Sequence, residues 1–419
     1  MFRLLHGADI HLDSPLKGLE TYPDAPVEQI RGAVRRAFDN LIDLAVEEEV
    51  ALVLLAGDLF DGDWKDYNSG IYFINRMGRL REAGIRVFIV LGNHDAAGQI
   101  TRALRFPDNV VLFSHKKPET RILDDLNVAV HGRSFPSRSV SEDLTKEYPQ
   151  GAPDLFNIGL LHTSLTGRPG HETYAPCTLG ALESKGYQYW ALGHVHQREE
   201  VLREPWIVFP GNIQGRHIRE TGPKGCTLVT VEEGRISAVE HRDLDILRWE
   251  VCHVDLCGCD MNDQCLDLVR QAFENEAGRA EGRPIALRLV LEGSTPLHGN
   301  LRENLVHWVE EFRAIAAGLV GVWLEKVVIA TRKKIDTDVS ALKGSPFSDL
   351  EGAIEALRQG SSRLLDLVPE FEALRSKLPP ELLSEMDPFS PEKEESASLS
   401  DDVRELIRGK MLHHENNTA

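Results

Sequence analysis

Nowhere in the 419 residues is there a run of about 18 apolar side chains, the length a helix needs to cross a bilayer core, so no membrane span is expected. Cysteine is scarce, six in all. Cys252, Cys257, Cys259 and Cys265 crowd one short region, but no second pair follows at finger-like spacing. Free thiols in a reducing cytosol are therefore expected, rather than zinc or a disulfide framework. The apolar start over 1–10 meets Asp9 too soon for a secretory signal, so the expected compartment is the cytoplasm. Positive charge is also short: the formal net charge is −19, which excludes a surface that attracts nucleic acid everywhere. The deficit is uneven, because 336–419 hold 18 Asp and Glu against 9 Lys and Arg, net −9, leaving −10 for the preceding 335 residues. A basic partner could meet that tail while an anionic substrate is held elsewhere. No internal repeat occurs, and the length predicts two or three domains.

What is present centres on the stretch 86–95, Arg-Val-Phe-Ile-Val-Leu-Gly-Asn-His-Asp. Its apolar, β-branched portion over 87–91 reads as a buried strand that stops at Gly92, where glycine permits a sharp turn. Asn93, His94 and Asp95 follow at the carboxyl end, where α/β sheets place ligands. The same strand-then-polar unit recurs four more times. A strand over 2–8 leads to Asp9 and His11, whose alternate spacing puts both side chains on one side of an extended chain. A wholly apolar strand over 51–56, as expected for one covered on both faces, leads to Gly57-Asp58 and then Asp61. A strand over 157–161 ends at His162. A strand over 187–192 leads to Gly-His-Val-His, with His194 and His196 again alternately spaced. His6, inside the first strand, reads as a structural histidine. Helical stripes over 26–50 and 67–83 supply crossovers between the early strands.

Asp9, His11, Asp58, Asn93, His162, His194 and His196 thus form a set of four imidazoles, two carboxylates and one amide, each at a predicted strand end. Oxygen with imidazole and no thiolate suits Mn, Fe or Zn, and the hard oxygen share leans toward Mn. Seven donors are too many for one ion and suit two ions that share Asp58, the arrangement that hydrolyses phosphate esters. His94 is placed to protonate a leaving oxygen, and Asp95 to hold that imidazole. Any one of these residues alone is more often a turn or a satisfied polar group; the five units in this order are the signal. Residues 206–242 read as a β-meander, with a turn at 210–217 in which Arg216 and His217 either meet phosphate or are solvated hairpin charges.

Asp-x-His, Gly-Asp, Gly-Asn-His-Asp, a later His and Gly-His-x-His together resemble the calcineurin-like metallophosphoesterases over about residues 1–242. The Gly-Asp-Leu-Phe-Asp form and an appended unit look like the SbcD-type DNA double-strand-break repair exonucleases. His-Leu-Asp-Ser-Pro at 11–15 and Pro-Gly-Asn at 210–212 look like their YhaO-like branch. The resemblance implies an α/β, two-sheet αββα sandwich over 1–245 with two Mn²⁺ ions. Asp9, His11, Asp58 and His196 would hold one ion, and Asp58, Asn93, His162 and His194 the other, with His94 on the leaving group. It further implies a DNA-capping domain, here a smaller α+β unit over 246–334 built from strands over 248–256, 284–292 and 322–331 with helices over 261–281 and 301–317. An acidic helical tail over 335–419, with amphipathic segments over 350–357, 362–378 and 400–411, would dock an SbcC-like coiled-coil ATPase, and such relatives tend to dimerise. Some relatives carry histidine where this chain has Asp61, so their exonuclease or endonuclease preference does not transfer. The expected activity is Mn-dependent DNA exonucleolysis. Two alternatives stand beside it: a phosphoesterase for nucleotides or phosphoproteins, and a non-catalytic adaptor with a structural metal site.

Overall fold

A computed structural model describes residues 1–14, 32–61, 67–97, 105–166 and 174–333. The predicted tail over 335–419 and the start of the helix predicted over 26–50 lie outside them. The apolar segments become two six-stranded sheets. In the first, β1 (Phe2–Gly7), β2 (Leu52–Ala56), β3 (Arg86–Val90) and β4 (Val110–Leu112) run parallel, and β11 (Gly225–Glu232) and β12 (Arg235–Asp243) complete the order β12-β11-β1-β2-β3-β4. In the second, the order β5-β6-β7-β8-β10-β9 joins β5 (Glu119–Leu123), β6 (Val128–Gly132), β7 (Phe156–His162), β8 (Tyr189–Gly193), β9 (Glu199–Arg203) and β10 (Trp206–Phe209), with β6, β7, β8 and β10 parallel.

Strand alternation decides how the layers stack. Leu52, Leu54 and Ala56 of β2 and Phe88 and Val90 of β3 face Val128, Val130, Ile158, Leu160 and Ala191 of the second sheet in one buried cluster. Val53, Leu55, Val87 and Ile89 point the other way, onto α1 (Ala33–Glu47) and α2 (Tyr67–Glu82). On α1 the buried residues Val34, Ala37, Phe38, Leu41, Ile42 and Ala45 recur at helical spacing, so the whole stripe meets the sheet. The far face of the second sheet is covered by Leu144, Tyr148 and Leu182, the last on α4 (Leu179–Glu183), against Trp190, Leu192 and Phe209. The result is the αββα sandwich. The strand predicted over 87–91 forms as β3, and the turn at Gly92 leads into a short helix, α3 (Asn93–Ala97).

One sequence expectation is overturned here. Residues 206–242 do not form a meander: β10 pairs in parallel with β8, while β11 and β12 belong to the other sheet. Alternation reports which residues are buried but not which sheet buries them, and the turn over 210–217 crosses between layers.

Downstream, β13 (Arg248–Asp255), β14 (Ile285–Glu292) and β16 (Val322–Ile329) form a three-stranded parallel sheet. Long crossovers are what parallel strands require, and here they contain α5 (Asn262–Arg279), the short α6 (His298–Glu303) and α7 (Leu305–Ala317). This sheet lies in one compact unit with the sandwich, Met1–Gly293 plus Asn300–Ala330. Of the second unit, Ser294–Gly299 and residues 331–333 are described. Within it the two-residue strands β15 (Ser294–Thr295) and β17 (Arg332–Lys333) pair in parallel. None of the six cysteines forms a disulfide. Among the described residues no helix is long and apolar enough to cross a membrane.

His6 is wholly buried between the sheets. Its Nε2–H donates to the Leu192 carbonyl at 3.0 Å, and its Nδ1 lies 2.9 Å from the Tyr189 hydroxyl. Burial holds the imidazole down at about 3, against the Leu192 carbonyl. The folded state thus refuses a proton that the unfolded chain accepts below about pH 6.5. Stability from this group is full above that pH and falls as the pH drops, by about 1.4 kcal/mol per unit. Chemical denaturation between about pH 6 and 4 should show a shallower loss for His6→Gln than for wild type.

Candidate metal centre

The seven donors expected from the sequence converge at the carboxyl ends of β1, β2, β3, β7 and β8, three strands from one sheet and two from the other. Hydrogen bonds lace the two sheets there. The Asp9 and His11 amides donate to the Gly57 and Asp58 carbonyls at 3.0 and 2.9 Å. The His194 amide crosses between sheets to the Asp9 carboxylate at 3.0 Å. The His94 amide donates to Asp58 Oδ1 at 2.9 Å.

Asp9 and His11 are not presented by extended chain, as their alternate spacing suggested. Asp9, His11, Asp58 and His194 all have left-handed backbone, with φ of 50°, 46°, 52° and 106°. Non-glycine residues held there carry strain of about 1–3 kcal/mol each, which persists where surrounding structure enforces it. Each strand stops and the chain doubles back, so consecutive donors turn inward together. Glycine provides the room: a Cβ on Gly92 would lie 2.2 Å from Asp58 Oδ1 and 2.8 Å from His162 Cε1. A Cβ on Gly193 would lie 2.0 Å from the Ala56 carbonyl oxygen.

Among the described residues, three groups of donors lie close enough to share an ion: Asp9, His11 and His196; Asp9, Asp58 and His162; and His11, Asp58 and His94. The chemistry of the set fits a cation. His162 Nδ1–H donates to the Ala56 carbonyl at 2.8 Å, so its Nε2 is a lone pair. That lone pair faces Asn93 Oδ1 at 2.9 Å and Asp58 Oδ2 at 3.5 Å, three acceptors turned toward one another. On the other side, His11 Nε2 lies 3.3 Å from His196 Nε2 and 3.9 Å from Asp58 Oδ2. Burial, then repulsion from Asp58, pushes the Asp9 carboxyl well above its usual range. Burial pushes Asp58 the same way, but the imidazoles of His162, His11 and His94 outweigh it and hold Asp58 low. Burial lowers His11 to about 3 and also lowers His162, the direction that frees a ring nitrogen to ligate. Positive charge placed among these groups would relieve the repulsion between buried carboxylates.

Residues 2–198 match the calcineurin-like phosphoesterase family, and 249–332 match the middle domain of the metallophosphoesterase YhaO. The chain is 37% identical over 296 residues to the uncharacterized metallophosphoesterase YhaO of Bacillus subtilis, covering 70% of this chain and 72% of that one. This protein belongs to the calcineurin-like metallophosphoesterases. It is also 25% identical over 382 residues to the DNA double-strand break repair protein Mre11 of Sulfolobus acidocaldarius, covering 84% and 93% of the two chains. The protein of the same name from Sulfurisphaera tokodaii matches at 25% over 311 residues, 70% of this chain and 74% of that one. The calcineurin-like fold binds a dinuclear metal site, and this metallophosphoesterase has the candidate donors for one.

Two carboxylates that the sequence reading did not assign take the supporting positions. Asp61 Oδ1 lies 3.0 Å from His94 Nδ1, and its Oδ2 accepts from Ser14 at 2.9 Å. The bond to Asp61 raises His94 above the ordinary imidazole value, against the lowering effect of burial. Asp95, expected to hold that ring, turns instead to backbone. Its carboxylate accepts from the amides of Leu59, Phe60 and Gly92 at 3.0–3.1 Å, clamping the β2 and β3 turns together. A carboxylate beside His94 in sequence is carried by α3 to the wrong side of the ring, whereas the β2 turn brings Asp61 across.

The second carboxylate is Glu220, which lies 2.8 Å from His196 Nδ1. The sequence signal was present in the polar stretch after Pro210-Gly211-Asn212, but spacing could not connect it to His196. Arg216 is turned inward onto Glu220 at 2.9 Å, while the His217 side chain is 46% exposed.

Asp95→Ala should leave three buried amides without an acceptor and lower stability by about 3 kcal/mol or more, read by chemical denaturation. Asp61→Asn should change stability by less than about 1 kcal/mol, because Asp61 is partly exposed, yet impair phosphoester hydrolysis. Equal destabilisation by both would contradict this division of roles.

Proposed function

We propose that this metallophosphoesterase is an Mn²⁺-dependent DNA exonuclease, acting in the cytoplasm with an SbcC-like coiled-coil ATPase. Residues 1–245 would form the nuclease domain, 246–334 a cap over DNA, and 335–419 the segment for the ATPase, in a chain that dimerises. The observation that supports hydrolysis over a purely structural metal site is the His94–Asp61 pair. The His94 side chain is 31% exposed at the edge of a donor cluster in which Asp9, His11, Asp58, Asn93, His162 and His194 are buried. A site that only stabilised the fold would have no use for an accessible imidazole held by a carboxylate.

Asp9, His11, Asp58 and His196 would hold one cation, and Asp58, Asn93, His162 and His194 the second. When bound, such a pair would offset charge on the phosphorus oxygens and acidify nearby water. The chain's own residues do the rest. Buried carbonyl and carboxylate partners keep the lone pairs of His162 and His196 inward. Asp61 holds His94 by Nδ1, which leaves Nε2–H to donate to the departing oxygen as its bond to phosphorus breaks. DNA as the substrate is supported by likeness to two proteins named for DNA double-strand break repair. With a net charge of −19, backbone phosphates would be met locally, at His217 and the loop that carries it, rather than by the whole surface.

The test is hydrolysis of linear duplex DNA beside a nitrophenyl phosphodiester, a nucleotide and a phosphopeptide, with Mn²⁺. Asp58→Asn should abolish activity on every substrate. His94→Gln should lower DNA cleavage by about 10²–10⁴-fold, and the nitrophenyl ester much less, because nitrophenolate leaves without a proton. Cleavage of the nucleotide or phosphopeptide but not DNA would transfer the assignment to a different substrate class. No hydrolysis of anything by metal-loaded wild type would leave the adaptor reading in its place.

A further inference from the structure

Glu220 is buried on the loop that links the two sheets, and its carboxylate bonds both that loop and His196 beyond it. Its Oε2 accepts from the Asn212 side-chain amide at 2.9 Å and from the Arg216 backbone amide at 2.7 Å. Its Oε1 lies 2.8 Å from His196 Nδ1 and 2.9 Å from Arg216 Nη2. A carboxylate can only accept, so this contact assigns the ring proton to Nδ1 and turns the Nε2 lone pair toward His11. Arg216 Nη2 also approaches His196 Nδ1, at 3.3 Å, and would favour the opposite tautomer; the shorter contact is the carboxylate's. Burial would push the Glu220 carboxyl up, but the bonds from His196 and Arg216 hold it well below the usual range.

The other side of this loop is tied to the beginning of the three-stranded sheet. The Trp249 indole N–H donates to the Gly215 carbonyl at 3.0 Å, and the Gly222 amide donates to the Trp249 carbonyl at 3.0 Å. The Gln214 side chain bridges Leu247, donating to its carbonyl at 2.6 Å and accepting from the Ile246 amide at 2.8 Å. Gly215 is the pinch point: a Cβ there would meet the Glu220 carbonyl oxygen at 2.6 Å and Trp249 Cδ1 at 3.0 Å. The loop is thus held from both directions, by His196 on one side and by Leu247 and Trp249 on the other.

We propose that Glu220 is the positioning residue that fixes His196 with its Nε2 toward the metal centre, and that Trp249 holds Glu220 in place, so the downstream sheet helps set the affinity of a site none of its residues touches. Its statement about affinity rests on the metal-centre reading; its statement about the His196 ring does not. The coupling runs both ways by linkage, so metal binding would in turn tighten the junction at Trp249.

The full chain, labelled with ¹⁵N-histidine and free of metal, reports the His196 tautomer by long-range proton–nitrogen NMR, with His196→Gln assigning the signal. Mn²⁺ affinity is then read by calorimetry. Wild type should show the Nδ1–H form. Glu220→Ala should lose it and weaken Mn²⁺ binding by about 10–100-fold. Glu220→Gln, which keeps an acceptor of the same shape, should largely restore the ring signal, with affinity reduced several-fold by the lost charge. Trp249→Phe removes the indole donor and leaves a smaller ring, and should weaken Mn²⁺ binding on the order of fivefold, with an unchanged far-ultraviolet spectrum. If Glu220→Ala fails to fold, Glu220→Gln and Trp249→Phe carry the test. A wild-type ring in the Nε2–H form, or Mn²⁺ affinity unchanged in both Glu220→Gln and Trp249→Phe, overturns the proposal. A wild type with the Nδ1–H ring that binds no Mn²⁺ supports the ring assignment and overturns the metal-centre reading instead.

Discussion

The metal centre depends on one contact across the sandwich, the bond from His162 Nδ1–H on β7 to the Ala56 carbonyl on β2. It joins the two sheets at their carboxyl ends and orients a ring whose other nitrogen faces Asp58 and Asn93. A backbone carbonyl cannot donate, so the contact fixes the tautomer as well as the position. The glycines beside it follow from the same constraint. At Gly57, Gly92 and Gly193 a Cβ would collide with the His162 ring or with the backbone it meets. What the sequence shows as three separate Gly-polar motifs is one close approach seen from three strands.

Around that contact the electrostatics are those of a dry pocket. Asp9 and Asp58 are both essentially inaccessible, and burying two like charges together is costly unless positive charge compensates. The strained backbone at Asp9, His11, Asp58 and His194 belongs to the same account. These residues occupy left-handed conformations because the carbonyl and amide bonds between the β1, β2 and β8 turns enforce them. The site is assembled by a rigid scaffold and not by the preferences of the donors themselves.

A second set of carboxylates organises the first. Asp95 ties the amides of two turns together, Asp61 reaches the exposed imidazole, and Glu220 reaches His196 from a loop that the downstream sheet also grips. The three look alike in sequence and do different physical work. One substitutes for backbone pairing, one orients an accessible proton donor, and one fixes the tautomer of a half-buried ring.

Much of this was legible in the linear chain. The unbroken apolar runs of β2 and β3, the apolar stripe of α1 and the stop of a buried strand at Gly92 are all local patterns, which burial imposes directly. That Asp9, His11, Asp58, Asn93, His162, His194 and His196 would gather at strand ends was legible for a similar reason: a polar side chain at the end of a buried strand has few other places to go. What periodicity cannot carry is partnership. Whether the strand over 206–209 lies beside β8 or β11, whether Asp61 or Asp95 meets His94, and whether Glu220 meets anything depend on where distant turns are brought together in space. The residue types and their order came from the sequence. The pairing of carboxylate with imidazole, and the left-handed turns that make it possible, were decided by sheet packing, because only the folded backbone sets which acceptor lies within three ångströms of which donor.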